Sequence, residues 1–465
     1  MTWPLLNYLA GRWRDLPPAG RFAAASAVAL LVWTFSSKAL QDILVFGAFL
    51  FALTRAGLGA GAWKQPAGIA FIVVALHMVL SLSFSEHPRL ALRDFSGFLE
   101  VMAGAFAIPV LFNTREKIAA ALFYSAVAIA LTLGYDLARL AYHLGPALLA
   151  KGHIFTPFIL NHANVASMMA GAAIFVFLQR GLYTIAERNY CPASRLRQGF
   201  CGQAGVRFQS SPVRHPAFAK ATAGRPALAP RSSLSVVGSD VWRLVSVLGC
   251  LLGMLICLAH MVIMASRGPQ IAFALAVGAA GLLIPSRSGK LLWFLAVVLA
   301  AGALIVNIEH VNPRFLEKKS MSNFSERDKV WTHTWDLAQQ RPWLGYGYGK
   351  RNFEVVYYRT HPPKSIFHYP HPHQFWLKLL FEFGWIGLAL HLAAWLILGI
   401  SLARYIWRQP TFNERLLPGT VGLIFCFIHL YGLGDYPDNI VLMAQFWLIP
   451  VALVLMKKPD DEHTA

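Results

Sequence analysis

Charged residues are scarce in this chain of 465 residues: 14% are Asp, Glu, Lys or Arg, whereas 56% are hydrophobic. The mean hydropathy is +0.50. Soluble globular domains carry about 25% charged residues, so this composition excludes a protein whose main solvent is water. Apolar runs of about 17 to 25 residues recur along the chain, and each can cross a hydrocarbon core of about 30 Å. The sequence therefore predicts an all-α polytopic membrane protein.

The apolar runs predict about twelve transmembrane helices. They lie at 22–36, 39–56, 66–84, 95–113, 117–135, 156–178, 242–264, 268–285, 290–307, 375–402, 414–433 and 438–456.

Acidic residues are also few, since 22 Asp and Glu face 41 Lys and Arg and leave a formal charge of +19. The basic residues lie mainly in the connections between apolar runs, not on one face of a domain. This distribution argues against nucleic-acid binding and is typical of a topology signal. Basic residues near the membrane surface also suit anionic membrane lipids as partners.

Counting the helices alternately predicts that both termini are cytoplasmic, because most basic connections then share that side. Those connections contain Arg55 and Lys64, Arg115 and Lys117, the 180–243 stretch, Arg287 and Lys290, Arg404 and Arg408, and Lys457 and Lys458. Four basic residues fall on the external side and oppose this orientation: Lys38, Arg89, Arg93 and Arg139. No clear cleavage site follows the first apolar run, which predicts an uncleaved signal anchor.

The same count divides the chain into five parts. These are N-terminal transmembrane helices at 1–187, a basic flexible cytoplasmic insert at 188–235, further transmembrane helices at 236–307, an external catalytic segment at 308–373, and C-terminal transmembrane helices at 374–465. The insert is rich in Pro, Gly, Ser, Ala and Arg and has no sustained apolar period, which is typical of a flexible linker.

Cysteine is scarce as well, and the five cysteines have no spacing of a disulfide or metal framework. Cys250, Cys257 and Cys426 lie in apolar runs, where small buried hydrophobes are expected. The cysteines therefore indicate no metal site, and no cofactor is expected.

Arg327 is a candidate anion-binding residue in the external segment. Ser325 and Asp328 have the spacing of a capping box, which predicts a helix from there to about Gln340, ended by Pro342. Arg327 would then lie in the first turn, where free backbone amides favour a bound anion. A surface Arg paired with a carboxylate is the alternative.

His371 and His373 come just before the apolar run that starts at Phe375, so they are expected at the external membrane boundary. Imidazole titrates near neutrality, which suits a general base that takes a proton from a hydroxyl group. A metal site is the rival interpretation, but the interleaved prolines argue against a regular ligand geometry. A third interpretation is that both histidines are interfacial residues without a chemical role.

Arg267 lies between two apolar runs on the external side, where an ionisable residue is a functional candidate. Snorkelling of its side chain to the headgroups is the alternative. Asn161, His162 and Asn164 lie near the external start of another span and suit either sugar binding or helix packing. The glycines of 345–349 lack the Walker spacing and a preceding strand, so we interpret them as a turn and not as a phosphate loop.

Three separated motifs together resemble the O-antigen ligase and O-antigen polymerase superfamily. They are Ser266-Arg267-Gly268; Arg327 in Glu326-Arg327-Asp328-Lys329-Val330-Trp331 followed by Pro342-Trp343-Leu344-Gly345-Tyr346-Gly347; and His371-Pro372-His373-Gln374 with Glu382-Phe383-Gly384-Trp385-Ile386-Gly387. The family usually has His-Asn where this chain has His373-Gln374, and the 188–235 insert replaces a usually short connection.

The resemblance implies a GT-C-like, metal-independent glycosyltransferase of the bacterial inner membrane, with its site on the extracytoplasmic face. Its donor would be an undecaprenyl-pyrophosphate-linked glycan and its acceptor lipid A-core. Arg267 and Arg327 would bind the donor pyrophosphate, and His373 would deprotonate the acceptor hydroxyl. His371, Glu382, His162 and Asn164 would be supporting residues.

Two other functions are compatible with these motifs. An O-antigen or exopolysaccharide polymerase shares every residue of the motifs and differs only in using a second lipid-linked glycan as acceptor. A transporter of the lipid-linked glycan is the alternative of another class. Transporters usually have repeated halves and sites near the bilayer midplane, whereas the candidate residues here gather at one external boundary, which favours the enzyme.

The topology yields a prediction that can be checked by cysteine labelling. In a chain whose native cysteines are replaced by alanine, a cysteine at Ser320 should react with a membrane-impermeant maleimide from the external side, and one at Ser210 should not. Labelling at Ser210 without labelling at Ser320 would invert the orientation.

Overall fold

The computed structural model describes residues 38–54, 64–112, 114–149, 163–201, 233–264, 266–306, 318–360 and 371–433, together with Val454. All regular secondary structure in these segments is helical, as predicted. The helices are α1 (Lys38–Leu53), α2 (Pro66–Phe84), α3 (Pro88–Leu111), α4 (Arg115–Leu149), α5 (Ala163–Cys201), α6 (Ser233–Ile263), α7 (Arg267–Ala280), α8 (Arg287–Val306), α9 (Lys318–Gln340), α10 (Lys350–Thr360), α11 (Phe375–Trp407) and α12 (Phe412–Gly432), with a 3-10 turn at Gly281–Leu283.

Six of the described helices are long and apolar enough to cross a membrane: α2, α4 (Arg115–Tyr142), α5 (Ala166–Ala186), α6 (Arg243–Ile263), α11 and α12. A shorter apolar helix spans Arg267–Leu283. These six candidate spans support a multi-pass membrane protein, but they are fewer than the roughly twelve transmembrane helices that the sequence predicts. The predicted helix at 22–36 lies outside the described residues, as does the one at 438–456 apart from Val454.

The largest core joins α4, α5, α6, α7 and α12. Small residues on α5 let its neighbours approach closely, as is usual where helices pack within a membrane. A methyl group added at Gly171 would lie 2.7 Å from the ring of Phe427 on α12. In the same way, Gly253 of α6 leaves room for Phe177 of α5. Glycine thus sets the distance between these helices.

A second group of helices packs beside this bundle and carries the candidate site. Here α2 and α9 pack against α11, and α10 packs against α3. The sequence predicts one continuous helix at 375–402, but α11 breaks at Gly384, whose φ of 64° and ψ of −168° are not helical. Apolar periodicity cannot detect this break, because residues on both sides of it are hydrophobic.

The predicted start of α9 is wrong. The helix begins at Lys318, seven residues before Ser325, so Ser325 does not cap it and Arg327 does not lie in its first turn. The segment from Lys318 to Glu326 has little apolar periodicity, which is why its helix was not expected. Backbone amides in the middle of a helix are already hydrogen-bonded, so they add nothing to anion binding at Arg327.

The insert expected at 188–235 is helical in its described parts. Helix α5 continues through Cys201, and α6 begins at Ser233. Residues 202–232 lie outside the described residues.

The break in α11 leads to a stability prediction with a matched control in the same helix. Gly384 has backbone angles that are open essentially only to glycine, and an added Cβ would lie 2.3 Å from the carbonyl carbon of Trp343. We therefore expect Gly384→Ala to lower the melting temperature of the detergent-solubilised protein by a few degrees or more.

Gly399→Ala is the control, because the same change there places Cβ 3.6 Å from the Phe425 ring, an ordinary contact. Alanine is also favoured over glycine within a helix by about 1 kcal/mol. Equal melting temperatures for the two variants would mean that the break at Gly384 is not required.

Candidate functional site

The loop at 342–349, called here the glycine loop, exchanges backbone hydrogen bonds with the break in α11. The N–H groups of Tyr346 and Gly347 donate to the carbonyl oxygens of Phe381 and Glu382, at 2.9 and 2.8 Å. In the other direction, the N–H of Trp385 donates to the carbonyl of Pro342 at 2.6 Å. Groups left without helical partners at the break are therefore satisfied by the loop.

This exchange explains why the two motifs need glycine at matching positions. Gly345 has a φ of 67°, and a Cβ there would lie 2.5 Å from the carbonyl oxygen of Phe381. A Cβ at Gly384 would likewise clash with the backbone of Trp343. Each glycine therefore lets one backbone approach the other closely. This close approach accounts for Gly345, one of the glycines of 345–349 that we interpreted as a turn.

Glu382, a predicted supporting residue, is buried beside the break, with 1% of its surface exposed. Its Oε1 accepts a hydrogen bond from the N–H of Gly349 at 3.1 Å and lies 3.2 Å from Nζ of Lys378, one helical turn earlier. Lys378 is also buried, and its Nζ lies 5.6 Å from the centre of the Tyr348 ring. The carboxylate thus ties the end of the glycine loop to the first half of α11.

The glycine loop is also attached to the corner between α2 and α3. The N–H of Glu86 donates to the carbonyl of Tyr346 at 3.0 Å. The Glu86 carboxylate pairs with Arg341 at 3.2 Å and with Arg359. Burial raises the pKa of the Tyr346 hydroxyl above its ordinary value. These contacts join the loop to two helices besides α11.

The two histidines predicted at the membrane boundary form a tight turn at the start of α11. His371 is 2% exposed, and its Nδ1 accepts the backbone N–H of His373 at 3.2 Å. The ring centres lie 4.3 Å apart. His373 is partly exposed and has a φ of 52°, in the left-handed region that few residues other than glycine adopt. The turn therefore presents His373 and buries His371.

Gln374 is the N-cap of α11. Its side-chain oxygen accepts the backbone N–H of Leu377, as a capping Asn would. The amide at this position therefore has a structural role, which explains why Gln can stand where the resembling family usually has Asn.

A groove of about 470 Å³ opens beside this turn, between α9 and α11. Its lining is mostly aromatic and aliphatic: Trp331, Thr332, Trp335, Gln374, Trp376, Leu377, Leu380, Trp385, Leu388 and Leu433. We call it the tryptophan groove. An apolar groove with few polar groups is typical of a small-molecule or lipid site.

Arg327 is partly exposed on α9 and lies one helical turn before Trp331, which lines the tryptophan groove with Gln374. The structure thus places Arg327 next to the wall of the groove that starts at the histidine turn.

Arg267 begins α7 and is partly exposed. A Cβ at the adjacent Gly268 would lie 3.2 Å from the ring of Tyr431, and one at Gly432 would lie 3.4 Å from Phe375. The start of α7, the end of α12 and the start of α11 therefore meet at one end of the bundle, which brings Arg267 to the end that holds the histidine turn.

Two other predicted supporting residues cannot be located in this way. His162 lies outside the described residues, and Asn164 lies in the first turn of α5, where its side chain is not described. Sequence reasoning missed the Lys378–Glu382 pair, which the spacing of four residues within a predicted helix could have indicated. Within the described ranges, no group of three or more His, Cys, Asp or Glu side chains is arranged to hold a metal ion.

Comparison with known protein families identifies one match. Residues 252–392 match the family model described as O-antigen ligase, a range that contains Arg267, Arg327, His371, His373 and Glu382. No curated protein matches the chain. The match supports a glycosyltransferase-like membrane enzyme of the ligase and polymerase type. Residues 252–392 are therefore similar to the O-antigen ligase family, which belongs to the superfamily that the sequence motifs resemble.

Proposed function

We propose that this protein transfers a glycan from undecaprenyl pyrophosphate to a hydroxyl group of lipid A-core on the extracytoplasmic face of the bacterial inner membrane. The observation that carries the proposal is the histidine turn, in which a buried His371 accepts the backbone N–H of a partly exposed His373, and the next residue, Gln374, lines the tryptophan groove. A general base must reach the proton that it removes, and His373 is the exposed member of the pair.

In this reaction, a ring nitrogen of His373 takes the proton of the acceptor hydroxyl while its oxygen attacks the anomeric carbon of the donor sugar. The bond from that carbon to the pyrophosphate oxygen breaks, and undecaprenyl pyrophosphate leaves with the electron pair. Arg267 and Arg327 offset the negative charge that grows on the leaving group, as fixed cations do in a water-poor site. The tryptophan groove receives the donor beside them.

His371 acts as a positioning residue in this proposal. It accepts the backbone hydrogen bond that fixes the unusual conformation of His373, and it is too buried to reach an acceptor. Glu382 and Lys378 are also positioning residues, but they act on the glycine loop and not on His373. Glu382 accepts the N–H of Gly349 and pairs with Lys378, and so fixes the loop on α11.

Substitution of the two histidines tests this division of roles. His373→Ala should lower kcat about 10²- to 10⁴-fold, the usual contribution of a positioned general base. His371→Ala should lose about tenfold or less, because it removes one neutral hydrogen bond worth about 0.5–1.5 kcal/mol. Transfer of radiolabelled glycan by reconstituted protein measures both rates, and detergent gel filtration checks folding. The reverse ranking would move the base to His371, and full activity of both variants would remove acid–base catalysis by this turn.

Arg327→Lys tests whether the guanidinium group of Arg327 binds the pyrophosphate. No free helix amides assist binding at this position, so the guanidinium has to supply the interaction, and Lys lacks its planar fork. We expect a severe loss of kcat/KM, whereas Lys329→Arg, an exposed change two residues away, should leave it unchanged. Wild-type kinetics in Arg327→Lys would show that the fork is not needed.

Metal independence can be tested with a chelator. Because two arginines supply the positive charge that a metal ion would otherwise give, transfer should persist in excess EDTA. If activity disappeared in EDTA and returned only with an added divalent metal, a metal would have to replace the arginines in the mechanism.

A further inference from the structure

The corner between α2 and α3, together with α10 and the start of the glycine loop, forms a surface rich in cations that the proposed chemistry does not use. Its basic residues are Arg89, Arg93, Arg341, Lys350, Arg351 and Arg359, and its acidic residues are Glu86, Asp94 and Glu354. We call this surface the cationic face. Arg89 and Arg93 are two of the four basic residues that opposed the predicted topology.

Ion pairs at both ends of α10 hold the cationic face together. At the end of α10, Arg359 contacts the Glu86 carboxylate and Nε2 of His87. At its beginning, Arg351 contacts Asp94 twice: Nη1 lies 3.3 Å from Oδ1, and the backbone N–H donates to Oδ2 at 2.8 Å. Helix α10 therefore runs antiparallel to the first turns of α3.

These pairs do not neutralise the positive charge of the surface. Arg341 and Arg359 share the single carboxylate of Glu86, yet their side chains remain 43% and 54% exposed. Arg89 and Lys350 are exposed, and neither makes a side-chain hydrogen bond or ion pair within the described ranges. The face thus presents guanidinium and ammonium groups to an external anion, the donors that favour phosphate.

The cationic face lies at a membrane boundary and is fixed relative to the histidine turn. Helix α2 is a candidate span that ends at Phe84, and the cationic face begins at Glu86, two residues later. The N–H of Glu86 donates to the carbonyl of Tyr346, whose own N–H donates to the carbonyl of Phe381 in α11. A bound headgroup would therefore be held in a constant position relative to the helix that His373 precedes.

We propose that the cationic face binds the phosphate groups of the lipid acceptor and so positions its hydroxyl toward His373. Bulk phospholipid needs no fixed position relative to the turn, whereas an acceptor does, and the backbone connection supplies one. The donor pyrophosphate is assigned to Arg267 and Arg327, which lie on α7 and α9. This inference rests on the proposed function in that a membrane lipid is the acceptor.

Binding without any donor tests the cationic face independently of catalysis. Full-length protein in zwitterionic detergent is titrated with lipid A-core, and with lipid A-core from which the phosphates have been removed, by microscale thermophoresis. The wild type should bind the phosphorylated form at least about tenfold more tightly than the dephosphorylated form. The double variant Arg89→Glu/Lys350→Glu should bind the two forms with about equal affinity. A double variant that keeps the wild-type preference would overturn the proposal.

Steady-state transfer gives the second readout. Arg89→Glu/Lys350→Glu should raise the acceptor KM about tenfold or more while kcat and the donor KM stay within about twofold, because neither residue touches the reacting atoms. Arg404→Glu/Arg408→Glu is the matched control, since both residues are exposed at the opposite end of α11, and it should leave all three constants unchanged.

The source of the phosphate is tested by adding phosphatidylglycerol to the micelles. If phosphatidylglycerol abolished the difference between wild type and the double variant at a concentration equal to that of lipid A-core, the face would be a general phospholipid site and the proposal would be wrong. Absence of transfer by the wild type would defeat the proposed function, but the binding result would still decide whether the face recognises phosphorylated lipid.

Discussion

The backbone hydrogen bonds between the glycine loop and the broken helix α11 are the constraint on which this end of the molecule depends. A helix interrupted inside a membrane protein leaves carbonyl and N–H groups without partners, and each such group costs several kcal/mol if it stays unsatisfied in an apolar environment. The loop satisfies Phe381 and Glu382 on one side of Gly384 and Trp385 on the other. Because this requires two backbones in contact, glycine is needed at Gly345 and Gly384.

Two consequences follow for the site. The first half of α11 becomes a short separate helix that runs from Phe375 to the break at Gly384, so the histidine turn before it is attached to the fixed break through this short helix. The glycine loop in turn carries α10 and its ion pairs with Glu86 and Asp94, so the α2–α3 corner is fixed to the same point. The candidate base, the tryptophan groove and the cationic face therefore share one rigid support.

The sequence predicted the membrane environment and the helical class because hydropathy depends only on local composition. The sequence also indicated Arg267, Arg327 and His373 as site residues, because they lie at apolar boundaries or in a resembling motif, and their roles stay predictions. It missed the break at Gly384 and the early start of α9, because neither changes the apolar pattern in the expected way. The pairing of Glu86 with Arg341 and Arg359 joins residues more than 250 positions apart, and no local pattern could predict it.

We propose that this protein joins a lipid-linked glycan to a lipid acceptor, with His373 as the base. The most direct measurement reconstitutes the purified protein in vesicles with undecaprenyl-pyrophosphate-linked glycan and supplies either lipid A-core or only more donor. We expect glycan attached to lipid A-core, with release of undecaprenyl pyrophosphate, and no such product from His373→Ala. Elongated glycan on the donor without modification of lipid A-core, or movement of the donor across the bilayer without any transfer, would contradict it.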